Sequence, residues 1–190
     1  MKSAFSILAA AAVTGIALTP GIASAAPAAP PALANSSTPG SGDPDTTVTF
    51  SVTSGALSMT APTSAALGSG APGTTITGAL GAVTVTDDRA LLTASWTATA
   101  SSTNWTTGGG TPAESIPATD VGYDPGSITT TGTITATGTP ITLASAPAPV
   151  VTGTSGVGNN TASWNPAISV AVPAAAVGGT YTATLTQSVS

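Results

Sequence analysis

Residues 91–100, with the sequence LLTASWTATA, decide the fold because they alternate strictly between apolar and hydroxyl-bearing side chains after the first position. Every even-numbered residue from Leu92 to Ala100 is apolar, and every residue between them is Thr or Ser. Successive side chains of a β-strand point to opposite faces, so this period of two predicts a strand with one buried and one solvent-exposed face. Trp96 lies in phase with the apolar residues, which predicts a place in the hydrophobic core.

Weaker alternation of the same kind occurs on both sides of this stretch, and turn signals rich in Gly and Pro separate the alternating runs. We predict about eight to ten short strands and no helix in this region, which together indicate an all-β fold, either an antiparallel β-sandwich or a Greek-key barrel. Trp164 is predicted to fill the core where a strand begins. The predicted strands lie at residues 46–52, 57–59, 74–77, 83–85, 168–172 and 181–189, with weaker ones around Tyr123, Ile128, Ile134, Ile141 and Leu143.

The N-terminus has the pattern of a secretory signal peptide. Lys2 precedes an apolar run at residues 4–18, and Ala23-Ser24-Ala25 forms a cleavage site of small residues, so residues 1–25 are interpreted as the signal peptide. A membrane anchor is the alternative, but the run is shorter than the roughly 20 residues that a spanning helix needs. We therefore expect a secreted protein, extracellular or associated with the cell wall, with no membrane anchor after cleavage.

The composition changes after the signal peptide and divides the remaining chain in two. Residues 26–45 are rich in Pro, Ala, Ser and Gly and show no periodicity, which is typical of a flexible linker. Residues 46–190 contain all the alternating runs and are predicted to form one β-domain.

The charged residues exclude several kinds of function. The chain has no His or Cys, two basic residues and seven acidic ones, for a net charge of −5. Without His and Cys there is no imidazole base, thiol nucleophile or zinc-finger ligand set, and no cofactor is predicted. Its two cations, Lys2 and Arg89, are too few to neutralise a row of phosphates, which argues against nucleic acid and anionic membranes as partners.

Two segments resemble the halves of a known domain. VTDDR at residues 85–89 followed by WTA at 96–98, together with YTATLTQSV at 181–189, is similar to the WxL cell-surface domain of Gram-positive bacteria. Ala98, Gln187 and Val189 stand where the family has Leu, Trp and Leu, so the chain resembles a divergent member, and its bias toward Ala, Gly and Thr suggests an actinobacterial source. The positions that match the family motif are Asp87, Arg89, Trp96, Tyr181, Leu185 and Thr186.

The resemblance implies an extracellular domain that attaches non-covalently to the cell wall by binding peptidoglycan. Wall glycan is thus the expected partner, and other surface proteins are further possible partners. A second interpretation is a structural subunit of an extracellular layer or fibre that self-associates through Thr-rich strand edges and has no wall ligand.

A possible ligand site surrounds Trp105. Trp105 lies nine residues after Trp96, an odd separation that would place it on the opposite face of a continued strand, and Asn104 and Thr106 flank it within a loop-like sequence. An aromatic ring beside an amide and a hydroxyl is the combination that stacks on a pyranose and binds its hydroxyls. The alternative is a loop tryptophan that folds onto the end of the barrel.

Five acidic residues of the domain offer a second kind of chemistry, either as calcium ligands or as catalytic carboxylates. No calcium-loop spacing is present, so solvated acids or acids paired with Arg89 are the favoured interpretation. Asp87 and Asp88 are adjacent and point to opposite faces of a strand, which does not provide the facing carboxyl pair that a glycosidase needs. We therefore expect no enzymatic activity and no metal site. The five residues are Asp87, Asp88, Glu114, Asp120 and Asp124.

Overall fold

The predicted strand at residues 91–100 forms part of a 20-residue strand, β3 (Val83–Ser102), in a computed structural model that describes residues 47–190. A second long strand, β10 (Ala148–Trp164), pairs with β3 antiparallel along most of its length, from Ala148 opposite Ala100 to Trp164 opposite Val83. These two strands form a continuous ribbon at the centre of the first sheet.

Four shorter strands complete the first sheet, and every pairing is antiparallel. Two of them pair with β3 at opposite ends of that strand, and the other two pair with β10. The strands on β3 are β1 (Leu57–Thr60) and β12 (Leu185–Val189), and those on β10 are β7 (Ile128–Thr131) and β8 (Thr135–Gly138).

The second sheet has four antiparallel strands, and the core lies between it and the first sheet. Trp96 and Trp164 of the first sheet and Tyr123 and Ile168 of the second are all buried in this core. The all-β sandwich prediction is confirmed, as are the core positions of Trp96 and Trp164. Trp164 ends β10, however, and does not lie where a strand begins as predicted. In spatial order the strands of the second sheet are β2 (Thr75–Ala79), β11 (Ala167–Ala171), β6 (Val121–Asp124) and β9 (Ile141–Thr142).

A two-stranded ribbon and two short 3-10 turns lie outside these sheets. The ribbon consists of β4 (Trp105–Thr106) and β5 (Ser115–Ile116), and the turns are Pro112–Glu114 and Ala118–Asp120. No helix within residues 47–190 is long and apolar enough to cross a bilayer.

The buried face of β3 changes phase in the middle of the strand. Val83, Val85 and Asp87 are buried at odd-numbered positions, whereas Ala94 and the residues that follow in phase with it are buried at even-numbered positions. Ala90 has a φ of 52°, and the pairing with β10 slips in this region, as in a β-bulge. An extra residue on one strand reverses which side chains face the core.

The same bulge overturns the prediction that Leu92 lies on the buried face. Leu92 is 79% exposed, because it lies beside the bulge, before the even-numbered residues of β3 become buried at Ala94. Leu91 and Val157, close to it in the ribbon, are also exposed.

The ribbon is strongly bent at this bulge. Strands β1 and β12 pair with opposite ends of β3 and nevertheless contact each other. The Arg89 guanidinium also bonds to Asp87 and to the carbonyl of Ser95, which would lie roughly 26 Å apart in a straight strand. On the partner strand Ser155 has a φ of 59°, so the partner also departs from extended geometry near the bend.

The predicted first strand, at residues 46–52, is not formed within the described residues. Val48, Phe50 and Val52 alternate as a strand would, but residues 47–56 have no strand structure and are exposed. Alternation shows that a segment can become a strand, yet a strand also needs a partner for its backbone. The predicted signal peptide and linker lie outside the described residues.

The final predicted strand begins later than the alternation suggests. It begins at Leu185 rather than at residue 181, and Tyr181 precedes it in an irregular segment. Thr182 forms an isolated bridge with Thr106, so this segment is bound to the β4 ribbon and not to β3.

Candidate functional site

Trp105 is held at one end of the sandwich by the β4–β5 ribbon, in which it lies opposite Ile116. The turn between these strands is stabilised by Glu114, whose carboxylate accepts hydrogen bonds from the backbone N–H (3.0 Å) and the hydroxyl (2.8 Å) of Thr111. The hydrogen bonds from Thr111 lower the pKa of the Glu114 carboxyl below its ordinary value. Glu114 therefore serves the turn as a capping group.

The indole of Trp105 is half-buried and packs against the hydrophobic core. Its N–H is the one buried side-chain polar group among the described residues that has no hydrogen-bond partner. Buried polar groups normally form hydrogen bonds, so the packing of the domain does not explain why this indole N–H has no partner. Trp105 is therefore less exposed than a free stacking platform and less enclosed than Trp96.

Two depressions meet at Trp105. The first, of about 620 Å³, is lined on one side by residues 61–65 and on the other by residues 181–187. The second, of about 450 Å³, is lined by residues 65–70 and 176–182 among others. Trp105, Tyr181 and Thr182 line both depressions and form the wall between them.

Tyr181 is fixed in this wall by its hydroxyl. Its single proton is shared between the carbonyl oxygens of Val177 (3.0 Å) and Ala113 (3.1 Å), which belong to the second depression's rim and to the β4–β5 turn. The ring is thereby held beside Trp105 with its polar end already satisfied. Two aromatic residues in one wall offer apolar faces to a ligand in either depression.

The lining of the second depression is uncharged. Ser69, Thr180 and Thr182 supply hydroxyls, and the glycines at 178 and 179 expose backbone groups, while the remaining lining residues are apolar. Apolar surface with a few polar groups suits a neutral, hydroxylated ligand better than an ion. Neither depression has a carboxylate in its lining.

The predicted trio of Asn104, Trp105 and Thr106 is only partly brought together. Asn104 accepts a hydrogen bond from the backbone N–H of Ala118 (3.1 Å) through Oδ1, and Thr106 pairs its backbone with Thr182. Trp105 lines both depressions, whereas Asn104 and Thr106 line neither. The ligand-binding role of Trp105 stays a prediction, and Tyr181, Ser69 and Thr180 are the neighbours that sequence reasoning did not assign to it.

The motif residues Asp87 and Arg89 form a partly buried ion pair at the bend of the ribbon. The guanidinium donates to both carboxylate oxygens, from Nε to Oδ1 and from Nη2 to Oδ2, each at 2.8 Å, and the side chain of Asp87 is fully buried. These hydrogen bonds hold the pKa of the Asp87 carboxyl below its usual value against the opposing effect of burial, and they raise the pKa of Arg89. The Asp87 carboxylate therefore has a structural role, in which it holds the Arg89 guanidinium at the bend.

The other acidic residues lie apart from this pair. Asp88, next to Asp87, is only partly buried, and Asp124 accepts a hydrogen bond from the backbone N–H of Gly126 (2.9 Å). Within residues 47–190 no three acidic side chains are close enough to hold a metal ion together.

The remaining motif residues divide between the core and the first depression. Trp96 is 3% exposed and packs opposite Gly153 of β10, whereas Leu185 and Thr186 of β12 line the first depression. Gln187 of β12 accepts a hydrogen bond from the Tyr123 hydroxyl.

Comparison of the chain with protein-family models, curated proteins and solved structures finds no match. Membership of the WxL family therefore stays a prediction from the motif residues.

Proposed function

We propose that this protein is a non-enzymatic extracellular surface protein that binds a neutral glycan of the cell wall in the second depression. The supporting observation is the wall formed by Trp105 and Tyr181 beside an uncharged lining that contains Ser69 and Thr180. An aromatic ring stacks on the apolar face of a pyranose, and hydroxyls at the rim bind those of the sugar.

The charge distribution favours a neutral ligand. The described residues contain five acids and one base, Arg89, whose guanidinium is already engaged by Asp87. Coulomb attraction to an anionic wall polymer would require free cations, so the proposed ligand is a glycan strand recognised by stacking and hydrogen bonding. The proposed binding is consequently insensitive to salt.

Two features of the sequence support the location. Residues 1–25 have the pattern of a secretory signal peptide, which would deliver the domain outside the cell. The resemblance to WxL domains, carried by Asp87, Arg89 and Trp96 and by residues 181–189, suggests non-covalent association with the wall.

A co-sedimentation assay with purified sacculi tests this function. Ser69→Tyr places a large side chain at the exposed rim of the second depression and is expected to weaken binding by about tenfold or more through loss of stacking on Trp105. Ser64→Tyr is the matched control, because Ser64 is an exposed serine that lines only the first depression.

Both variants change a serine outside the core, so each should melt like the parent. Equal binding by parent and Ser69→Tyr would reject the second depression as the glycan site. Failure of the parent itself to sediment with sacculi, at both low and high salt, would reject wall binding.

A further inference from the structure

The exposed N-terminal segment, residues 47–53 with the sequence TVTFSVT, has the chemistry of a strand without a strand's environment. Its three large apolar side chains are among the most exposed large apolar side chains of the described residues, at 82% for Val48, 89% for Phe50 and 76% for Val52. Hydroxyl-bearing residues occupy the positions between them. Three apolar side chains on one face of an extended chain are typical of a surface that becomes buried against a partner.

The backbone of this segment is also unpaired within the part of the chain that the structure describes. None of residues 49–54 forms a backbone hydrogen bond with another described residue, whereas the next residue, Gly55, donates to the carbonyl of Asp88 at 2.7 Å. A row of unsatisfied N–H and C=O groups beside alternating side chains is what a sheet edge accepts as a new strand.

The sequence of the segment repeats that of the last strand. TVTFSVT at residues 47–53 aligns without gaps to TLTQSVS at residues 184–190, with identity at Thr47, Thr49, Ser51 and Val52. The hydroxyl positions coincide along both segments, and the apolar positions coincide except at Phe50, which falls opposite Gln187. The N-terminal segment therefore fits the same kind of sheet environment as β12.

Strand β12 offers an edge for such an addition. It pairs with β3 only, and Ser190 exchanges both backbone hydrogen bonds with Thr97. Because these bonds alternate in antiparallel pairs, Gln187 and Val189 direct their N–H and C=O groups away from β3. The first depression lies between β12 and residues 61–65, and β1 contacts β12 without pairing its backbone with it.

The donor segment and the acceptor edge both lack the charged and proline residues that block strand pairing. Lys, Pro and inward-pointing charges normally block exposed edges, and neither residues 47–53 nor residues 184–190 contain a charged residue or a proline. Added there, the segment would place Val48, Phe50 and Val52 on the side of Leu185 and Val189, and Thr49 and Ser51 on the hydroxyl-rich face of Thr186 and Ser188.

We propose that residues 47–53 of one copy add as a β-strand to the free edge of β12 in a second copy. The contact joins two different surfaces, the donor segment of one copy and the acceptor edge of the next, so it can link copies head-to-tail. The proposal is independent of glycan binding, because the acceptor edge borders the first depression and the glycan is assigned to the second.

Sedimentation velocity of the predicted mature chain, residues 26–190, over a range of concentrations tests the assembly. The parent is expected to sediment faster as its concentration rises. Ser51→Pro removes a backbone N–H from the donor and should raise the concentration of half-association about tenfold or more. Phe50→Glu should act in the same direction, since it places a charge on the inner face of the added strand.

Leu92→Glu is the matched control, because Leu92 is equally apolar and 79% exposed but lies on the ribbon bulge. It should associate like the parent. A free peptide of residues 47–53 should dissociate the parent, and the same peptide with the Ser51→Pro change should not.

The acceptor edge is tested by cysteine cross-linking, for which the Cys-free chain is suited. Under mild oxidation with diamide, Ser51→Cys copies should link to Thr186→Cys copies on β12. They should not link to Thr137→Cys copies, in which the exposed threonine lies on β8, the strand paired with β10 on the opposite side of the first sheet.

A parent that stays monomeric at every concentration would overturn the proposal, as would association unchanged by both Ser51→Pro and Phe50→Glu. Preferential linkage of Ser51→Cys to Thr137→Cys would reject β12 as the acceptor. Ser51→Pro should leave sacculus binding by the monomer unchanged, so failure of either proposal is distinguishable from failure of the other.

Discussion

The hydroxyl of Tyr123 donates a hydrogen bond to Oε1 of Gln187 at 2.9 Å, which links β6 of the second sheet to β12 at the edge of the first. The same hydroxyl accepts a hydrogen bond from the indole N–H of Trp164, also at 2.9 Å. The three side chains form a polar chain that connects both sheets through the core. Burial raises the pKa of Tyr123 to about 12.

Stability should fall at alkaline pH because of this tyrosine. The folded protein holds the Tyr123 proton up to about pH 12, whereas the unfolded chain releases it near its ordinary pKa of about 10. The protonated Tyr123 therefore makes its full contribution to the free energy of unfolding below pH 10. This contribution, about 2–3 kcal/mol, is lost as the pH rises through the folded pKa. Urea unfolding of the parent and of Tyr123→Phe at pH 8, 10 and 11.5 measures this loss of unfolding free energy.

Tyr123→Phe should itself cost about 1–3 kcal/mol at pH 8, because the Trp164 N–H and the Gln187 oxygen lose their partner. Its stability should then decline less than the parent's toward pH 11.5. Parallel declines would mean that Tyr123 does not titrate differently in the folded state.

Removing the Arg89 side chain should destabilise the bend of the ribbon. Arg89→Ala leaves the buried Asp87 carboxylate without a counter-charge and frees the carbonyl of Ser95, at a cost of about 3 kcal/mol at pH 7. Calorimetric melting at pH 7 measures this loss. Arg89→Lys should recover only part of it, because lysine lacks the planar fork that engages both carboxylate oxygens.

The effect of Arg89→Ala should shrink in acid. The lowered pKa of Asp87 stabilises the parent above the ordinary carboxyl pKa of about 3.9, and this contribution is lost as the pH falls through the lower, folded value. In the variant the carboxyl is unpaired and is protonated at higher pH. A difference between parent and variant that is constant from pH 7 to pH 3 would contradict the ion-pair explanation.

Position 153 requires a glycine because the indole ring of Trp96 packs directly against it. A Cβ at this position would lie 2.7 Å from both Cζ2 and Nε1 of Trp96, an overlap that the buried indole cannot relieve without displacing the core. Gly153→Ala should therefore lower the unfolding free energy by about 1–3 kcal/mol. Gly178→Ala is the control, since a Cβ there meets nothing within 4 Å, and thermal melts of both variants that coincided would refute the overlap.

Trp96 and Trp105 should respond differently to truncation. Trp96→Ala should cost about 3–5 kcal/mol through the cavity it leaves, and glycan binding should fall only with the folded fraction. Trp105→Ala should cost less stability because its indole is half-buried, yet it should weaken sacculus binding by about 1–3 kcal/mol at temperatures where the domain is fully folded. Paired melts and co-sedimentation separate the two roles, and normal binding by folded Trp105→Ala would place the glycan elsewhere.

Much of the fold could be predicted from alternation because one face of most strands is buried. The runs around Trp96, Leu57, Val170 and Leu185 all became strands. The bulge at Ala90 could not be predicted, because its left-handed backbone results from the bend of the ribbon and alanine carries no local signal for it. Nor did alternation reveal that residues 47–53 lack a partner, since pairing is a property of the whole sheet.

The candidate site was less predictable than the fold. Trp105 could be singled out as an aromatic residue in a polar sequence, but Asn104, its neighbour in the chain, is engaged by Ala118 instead. The depression depends on residues 65–70 and 176–182, irregular segments without periodicity that are brought together only by tertiary structure. A site built from such segments leaves no pattern in the sequence.

The bent ribbon also has a consequence for folding kinetics. Strand β3 pairs with β1 near the start of the domain, with β10, and with β12 at residues 185–189. A sheet whose central strand is paired with segments so distant in sequence has a high contact order, and such sheets form slowly. The first sheet cannot be completed until residues 185–189 have been synthesised, so a nascent chain that has not reached them retains an incomplete sheet.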